Sequence, residues 1–244
     1  MKAFGISDKG AVRKENQDSF RFTLHDGEGT LCAVLCDGMG GAQSGSIASS
    51  MAVDTFMSHA ANSLDASSAP ADMRQILTEA VNYANIKVYD RSFADFTCMG
   101  MGCTLVAMLV NGKRCMVANV GDSRAYMISR GSIQQISHDH SLVEEMVAKG
   151  EITPEQARNH PQKNIITRAV GVEASVRCDI FDLKFNPGSR ILLCSDGLIN
   201  VVSDNEILSI SEKNCDVEKA ASLLMELALR RGAPDNVTVF IVER

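Results

Sequence analysis

Residues 103–120 read Cys-Thr-Leu-Val-Ala-Met-Leu-Val-Asn-Gly-Lys-Arg-Cys-Met-Val-Ala-Asn-Val, two apolar runs separated by a short polar connection. The runs Cys103–Val110 and Arg114–Val120 have the length and apolar character of buried strands, and Asn111-Gly112-Lys113 lies between them. So short a connection joins antiparallel strands only, because a parallel pair needs a crossover of about a dozen residues or more. This stretch therefore predicts an antiparallel hairpin.

The same pattern extends in both directions along the chain. Ser123–Ser129 and Ser132–Ile136 form a second strand pair around Arg130-Gly131, and apolar residues spaced three and four apart predict helices over 73–88 and 217–228. The remaining predicted strands are Lys2–Asp8, Ser19–His25, Leu31–Cys36, Val176–Leu183, Arg190–Cys194 and Val237–Val242. Hairpin-linked strands with separate long helices predict an α+β fold, in which helices cover antiparallel sheets.

The chain shows no long linker, so we expect one domain over residues 1–244. The softest stretch, Asn62–Pro70, is predicted to be a loop between two helices. Residues 139–171 are polar and helical in short pieces, with a helix start at Thr153-Pro154. We expect this segment to be an insertion that lies over one edge of the domain.

The composition excludes several classes of protein. A chain of 244 residues with 45% hydrophobic residues is too apolar to be disordered, and a net charge of −6 argues against nucleic-acid or anionic-membrane binding. No apolar run approaches the ~18 residues of a membrane helix. Gly5 and Asp8 come too early for a secretory signal, and the cysteines within strand-like runs fit buried free thiols. We therefore expect a cytoplasmic protein.

Four aspartates occupy equivalent places at the ends of apolar runs. Asp37, Asp122 and Asp196 each follow such a run, and Asp235 precedes the last one. Each alone also fits a turn residue, since Asp-Gly is common in hairpins. If the four converge, their charges need a divalent cation, and an oxygen-rich site suits Mg²⁺ or Mn²⁺. Two ions ~3.5–4 Å apart could share Asp37 and hold a water for attack on phosphorus.

An arginine near the N-terminus complements these carboxylates. Arg13 stands five residues before Asp18, between the first two predicted strands. Its planar guanidinium matches the oxygens of a phosphate group. A solvated surface arginine is the alternative for this position.

These residues together resemble a known family, the metal-dependent Ser/Thr protein phosphatases (PPM, also called type 2C), in its compact bacterial branch. The resemblance runs from about Ile6 to Val242, and the segment 139–171 resembles the mobile flap of bacterial members. Its motifs, in order, are Arg13-x-x-Asn16-Gln17-Asp18, Asp37-Gly38-Met39-Gly40-Gly41, Gly102-Cys103-Thr104-Leu105, Val120-Gly121-Asp122-Ser123-Arg124, Ser195-Asp196-Gly197-Leu198 and Asp235-Asn236-Val237-Thr238.

The resemblance implies a sandwich of two antiparallel β-sheets flanked by helix pairs, with a binuclear Mn²⁺/Mg²⁺ centre at one edge. Asp37 would bridge both ions, Asp196 and Asp235 would hold the first, and the carbonyl of Gly38 would help to hold the second. Asp122 resembles, with Asp196, the position of a weaker third ion in bacterial relatives.

The resemblance also implies the reaction and its partners. Arg13 would bind the substrate phosphate, and Asp18 would hydrogen-bond metal-bound waters. A metal-bridging hydroxide would hydrolyse phosphoserine or phosphothreonine in proteins without a phosphoenzyme. We expect a monomer that opposes a bacterial Ser/Thr kinase.

Three departures from the family pattern stand out. Gln17 replaces a glutamate found in many relatives, which removes one negative charge near the second ion. Met39 stands where many eukaryotic members have a histidine proposed as general acid, so a metal-bound water would have to protonate the leaving alkoxide. Ser44-Gly45-Ser46 stands where many bacterial relatives have Glu after that glycine, a difference to which we attach no catalytic meaning.

Two histidines and two other functions remain open at this point. His138 and His140 are expected to be solvated residues of the flap, with substrate contact or proton donation as the alternative. A phosphatase of small metabolites or nucleotides has the same sequence requirements. A catalytically inactive binding module is disfavoured, because Asp37, Asp196 and Asp235 are all present.

Overall fold

The computed structural model describes residues 1–25, 27, 29–64, 69–214 and 216–244, and its strands form two antiparallel sheets. The strands are β1 (Lys2–Asp8), β2 (Asp18–His25), β3 (Thr30–Met39), β4 (Gly102–Cys103), β5 (Leu105–Asn111), β6 (Arg114–Val120), β7 (Arg124–Ser129), β8 (Ser132–Gln135), β9 (Asp179–Lys184), β10 (Arg190–Cys194) and β11 (Val237–Glu243). The first sheet has the order β1-β11-β10-β7-β8. The second has the order β2-β3-β5-β6-β9, with the short β4 paired to β3.

Seven α-helices of the described chain accompany the sheets. They are α1 (Gly41–Ser63), α2 (Pro70–Ala94), α3 (Leu142–Ala148), α4 (Pro154–Arg158), α5 (Asp196–Ile199), α6 (Asp204–Lys213) and α7 (Val217–Arg230). The pair α1 and α2 packs on the outer face of the second sheet, and α6 and α7 pack on the first. The α+β sandwich with flanking helix pairs is therefore confirmed.

The apolar side chains fall into three layers because strand residues alternate between the two faces of each sheet. The middle layer joins the sheets, where Leu35 and Val106 of one meet Leu193 and Phe240 of the other. The outer layers lie beneath the helix pairs. Polar residues at strand ends thus emerge at the edge of a rigid double sheet.

The hairpin predicted from residues 103–120 is present. β5 and β6 pair antiparallel from Leu105↔Val120 to Asn111↔Arg114, so the connection lies where the sequence places it. Thr104 separates β4 from β5: its N–H donates to the Asp37 carbonyl at 2.8 Å, but the Asp37 N–H donates to the Thr104 hydroxyl at 2.9 Å. β3 continues through Asp37 to Met39, beyond the predicted end at Cys36.

One strand start and one helix also differ from the prediction. β9 begins at Asp179 and not at Val176, because Val176 and Cys178 pack against the α1–α2 layer outside the strand ladder. The helix α6 was not predicted.

Of the predicted loop at 62–70, residues 65–68 lie outside the described residues. The prediction of one domain with a flap stays a prediction. In the described ranges, no helix has the length and apolar character needed to cross a membrane.

Candidate metal centre

A cavity of 500 Å³ opens at the edge where both sheets present their strand ends. Six of the seven predicted site residues line it, and the seventh, Asp18, is buried beside them at 7% exposure. The six are Arg13, Asp37, Gly38, Asp122, Asp196 and Asp235. Asp37 lies in β3 of the second sheet, and Asp122 lies in the connection from β6 of that sheet to β7 of the first. Asp196 and Asp235 flank strands of the first sheet, so the cavity lies between the sheets.

Asp37 is fixed by its strand and by the start of β5. Its peptide N–H donates to the Thr104 hydroxyl at 2.9 Å, and that hydroxyl bonds to the Ser123 hydroxyl at 2.8 Å. The Asp37 carbonyl accepts from the Thr104 N–H. The backbone of Asp37 therefore has its partners, and its carboxylate is left to face the cavity.

Gly38 is required by the close approach of helix α1. A Cβ at this position would lie 2.0 Å from the Gly45 carbonyl oxygen and 2.8 Å from the Gln17 carbonyl oxygen. Its N–H donates to the Gln17 carbonyl at 3.0 Å. Only glycine fits here, and the contact sets the start of α1 against the end of β3.

Asp18 is held by hydroxyls from the opposite sheet. Its Oδ2 accepts from Ser195 Oγ and from Thr238 Oγ1, both at 2.7 Å. The Thr238 N–H in turn donates to Ser195 Oγ at 2.9 Å. No hydrogen-bond donor of the described residues reaches Asp18 Oδ1. One oxygen is thus anchored while the other retains its full capacity to accept a hydrogen bond.

Asp196 and Asp235 are positioned by neighbouring loops. Asp196 begins the short helix α5, and its Oδ2 accepts from Asn200 Nδ2 at 3.0 Å, while its buried Oδ1 meets no donor of the described residues. Asp235 accepts from Arg13 Nη2 at 2.7 Å. The side chain of Asn236 holds the segment that carries Arg13 by donating to the carbonyls of Lys9 and Glu15.

The carboxylates raise one another's pKa because they share a region with little water. Burial, followed by the charges of Asp18 and Asp196, raises the pKa of Asp37 well above its ordinary value. Burial and then Asp196 and Asp139 raise the pKa of Asp122 to about 8. Burial raises the pKa of Asp18 to about 7, although its hydroxyl donors lower it. Such repulsion indicates a site for positive charge.

The donor set fits hard divalent ions that keep water ligands. Within the described ranges, no three His, Cys, Asp or Glu side chains form a group that could hold an ion by themselves. A closed structural zinc site is therefore a poor match. Mg²⁺ and similar ions bind through one or two carboxylates and retain several waters, and the donorless Oδ1 of Asp196 lies in this oxygen-rich cavity.

Several residues of the site were missed as contributors by sequence reasoning. The hydroxyls of Thr104, Ser195 and Thr238 hold the aspartates, and each lies inside a motif beside an aspartate, which was the available signal. His140 was expected to be solvated, and this was wrong: it is 7% exposed, and its ring bonds to Gly121 and Asp179. His138 is exposed, as expected.

Comparison with known proteins agrees with this geometry. The family model described as protein phosphatase 2C matches residues 11–230. The chain belongs to the protein phosphatase 2C family. It is 36% identical to the serine/threonine phosphatase Stp of Listeria monocytogenes serotype 4b, over 100% of this chain and 96% of that protein.

Solved structures place this protein phosphatase 2C chain among bacterial relatives. The serine/threonine phosphatase Stp1 of Staphylococcus aureus has a TM-score of 0.92 at 36% identity, covering 100% of this chain and 94% of that one. The catalytic domain of the phosphatase PstP, solved with two manganese ions, has a TM-score of 0.86 at 35% identity, covering 99% and 97%. The predicted family and the predicted enzyme class are therefore confirmed.

Proposed function

We propose that this protein phosphatase 2C hydrolyses phosphoserine and phosphothreonine in proteins, with two Mn²⁺ or Mg²⁺ ions as cofactor. One observation carries the proposal: Asp37, Asp122, Asp196 and Asp235, from distant parts of the chain, share one cavity with Arg13. The relatives named for serine/threonine phosphatase activity and the manganese-containing PstP structure support it.

The aspartates of the cavity would hold the ions. By the family resemblance, Asp37 would contribute to both ions, Asp196 and Asp235 to the first, and the Gly38 carbonyl to the second. When bound, two such ions activate water as the nucleophile and offset the charge that develops on the phosphoryl oxygens. A weaker third ion is assigned to Asp122 with Asp196, whose charge raises the pKa of Asp122.

Arg13 and Asp18 act on substrate and solvent. The Arg13 side chain is 51% exposed at the cavity rim, so its guanidinium can leave Asp235 Oδ2 and take a phosphate oxygen. The Asp18 carboxylate is fixed through Oδ2 by Ser195 and Thr238, and its Oδ1 would accept hydrogen bonds from metal-bound water. Both groups orient reactants without covalent chemistry.

The cavity offers no imidazole for proton transfer. Among the described residues that line it there is no histidine, and Met39 occupies the position after Gly38. The leaving serine or threonine oxygen therefore takes its proton from solvent held in the site. A catalytically inactive module is disfavoured, because every carboxylate required for the ions is assembled.

Hydrolysis of p-nitrophenyl phosphate tests the proposal. The wild type should turn over with Mn²⁺ and stop with chelator, and Asp37→Ala should lose about a thousandfold or more in kcat because the bridge between the ions is gone. Asp54→Ala, which removes an exposed carboxylate paired to Arg21, is the matched control and should keep its rate. Full activity of Asp37→Ala in Mn²⁺ would overturn the assignment.

The substrate class needs a separate comparison. Turnover of phosphoserine peptides at higher kcat/KM than small phosphomonoesters would support a protein substrate, whereas the reverse order would favour a metabolite phosphatase. A Ser/Thr kinase as counterpart, a monomeric state and a cytoplasmic location stay predictions.

A further inference from the structure

His140 is buried near the start of the flap segment, and no described histidine lines the metal cavity itself. It follows β8 and precedes α3, whose first turn is capped by the Ser141 hydroxyl. A buried polar ring in such a place needs hydrogen-bond partners, and the structure shows which groups they are.

The ring and the backbone of His140 both bond to one glycine. The Gly121 N–H donates to His140 Nδ1 at 3.0 Å, and the His140 N–H donates to the Gly121 carbonyl at 3.0 Å. Gly121 has φ +99°, and a Cβ there would lie 2.7 Å from Thr104 Cγ2. The turn therefore has no side chain of its own to hold it, and it carries Asp122 as its next residue.

The partners of the ring define its tautomer. Since a peptide N–H only donates, Nδ1 is the acceptor and the ring proton sits on Nε2. Nε2 lies 3.3 Å from Asp179 Oδ2 and 2.9 Å from Arg168 Nη1, which also donates to Asp179 Oδ1 at 3.1 Å. Because arginine only donates, Asp179 is the acceptor for the Nε2 proton. Burial lowers the pKa of His140, in keeping with a neutral ring.

The same residue also anchors the flap segment. The His140 carbonyl accepts from the Thr167 N–H at 2.8 Å, next to the bridge between Ser141 and Ile166. Ile166 is one of the residues that line the metal cavity. His140 thus contacts the turn that carries Asp122 through its ring and its backbone, and contacts the segment that carries Ile166 through its backbone alone.

We infer that His140 is a positioning residue, whose ring sets the Asp122 carboxylate by accepting the hydrogen bond of the Gly121 N–H, while its backbone bond to Thr167 holds the ring in place. The inference rests on the proposed function, in which Asp122 holds an ion. Without the Nδ1 acceptor, the buried Gly121 N–H loses its partner and the turn shifts. Partners of this kind change metal affinity or activity by about 10–100-fold when removed.

Two substitutions distinguish the effect of losing the Nδ1 acceptor from the effect of losing the imidazole ring. In His140→Asn the amide oxygen lies where Nδ1 accepts, whereas in His140→Gln the oxygen is displaced by one bond. His140→Gln should raise the Mn²⁺ concentration for half-maximal activity about tenfold or more and lower kcat, with KM little changed. His140→Asn should stay within about threefold of wild type.

A matched control and a structural measurement complete the test. Asn85 is a buried side chain that accepts from the Gly171 N–H at 2.8 Å at the far end of the flap segment, and Asn85→Ala should leave the Mn²⁺ dependence unchanged. Amide hydrogen exchange at Gly121 should be about tenfold faster in His140→Gln than in wild type or His140→Asn.

Different results would overturn the positioning role of His140 and the proposed phosphatase activity. In an Asp122→Ala background, His140→Gln should have less than about a twofold further effect on kcat, because residues that act through one another are not additive. Equal impairment of His140→Asn and His140→Gln, or an undiminished effect in that background, would overturn the inference. A wild type without Mn²⁺-dependent hydrolysis would overturn the proposed function, while Gly121 exchange would still report on the contact.

Discussion

Arg13 is held to the site by one ion pair and by the backbone beneath it. Its Nη2 lies 2.7 Å from Asp235 Oδ2, and the Asn236 amide secures the loop that carries it. An exposed pair of this kind contributes little stability, so the value of the guanidinium lies in what it binds.

Removal of this guanidinium should weaken substrate binding. Arg13→Ala is expected to raise the KM for p-nitrophenyl phosphate about tenfold, since a charge-assisted hydrogen bond to phosphate contributes roughly 1.5–3 kcal/mol. Arg21→Ala, an equal charge change at a pair with Asp54, should leave KM as it is. A change confined to kcat would contradict phosphate binding in the ground state.

At the level of single residues, the sequence predicted the positions of the carboxylates better than it predicted the side chains that hold them in place. Asp37 and Asp196 follow unbroken apolar runs, and such runs end at a sheet edge wherever the fold places them. The role of His140 was not recoverable, because Asp139 and Ser141 beside it give the segment a solvated composition. Its burial comes from contacts with Gly121 and Thr167, which are distant in sequence.

The elements show where local patterns suffice and where they do not. The β5–β6 hairpin follows from its connection alone, whereas Val176 has the apolar character of a strand yet pairs with no strand. An apolar sequence pattern indicates that a side chain is buried, but it does not indicate whether the backbone pairs with a neighbouring strand. The helix α6 begins with a capping box of Ser203 and Glu206, a signal present in the sequence but not used.

The contact between α1 and β3 gives a prediction at the scale of elements. Gly38→Ala would force Cβ against the Gly45 carbonyl and should cost about 1–3 kcal/mol of unfolding free energy, measured in urea. It should also lower Mn²⁺ affinity, because the Gly38 carbonyl moves with the strand. Gly27→Ala, with no atom within 4 Å of the added Cβ, is the control. Wild-type stability of Gly38→Ala would show that α1 can move away at no cost.

At the scale of the whole molecule, the two sheets bring several carboxylates into one cavity, and Arg13 alone does not balance their charge. The pKa of Asp122 moves from 3.8 to about 8, so the folded metal-free chain binds a proton that the unfolded chain releases. The stability that this proton gives is complete below pH 3.8 and is lost as the pH rises through about 8.

Metal-free protein should therefore become less stable in mild alkali. From about pH 7 to about pH 8.5 in chelator, the unfolding free energy should fall by roughly 1 kcal/mol from Asp122 alone, and Mn²⁺ should restore it. Asp122→Asn should show a smaller fall over the same interval. Urea denaturation at the two pH values, with and without Mn²⁺, gives the measurement, and a rise in metal-free stability would contradict the assigned burial.

The hydroxyls of Ser195 and Thr238 bond to Asp18 across the two sheets, beside the metal cavity. If one sheet slid along the other, the buried Asp18 carboxylate would lose both hydrogen-bond donors at once. These bonds therefore resist relative movement of the two sheets at this edge. The strand ends that carry Asp37 and Asp196 are therefore held close together by the two sheets themselves. We expect the binding of a divalent cation to require little rearrangement of the protein.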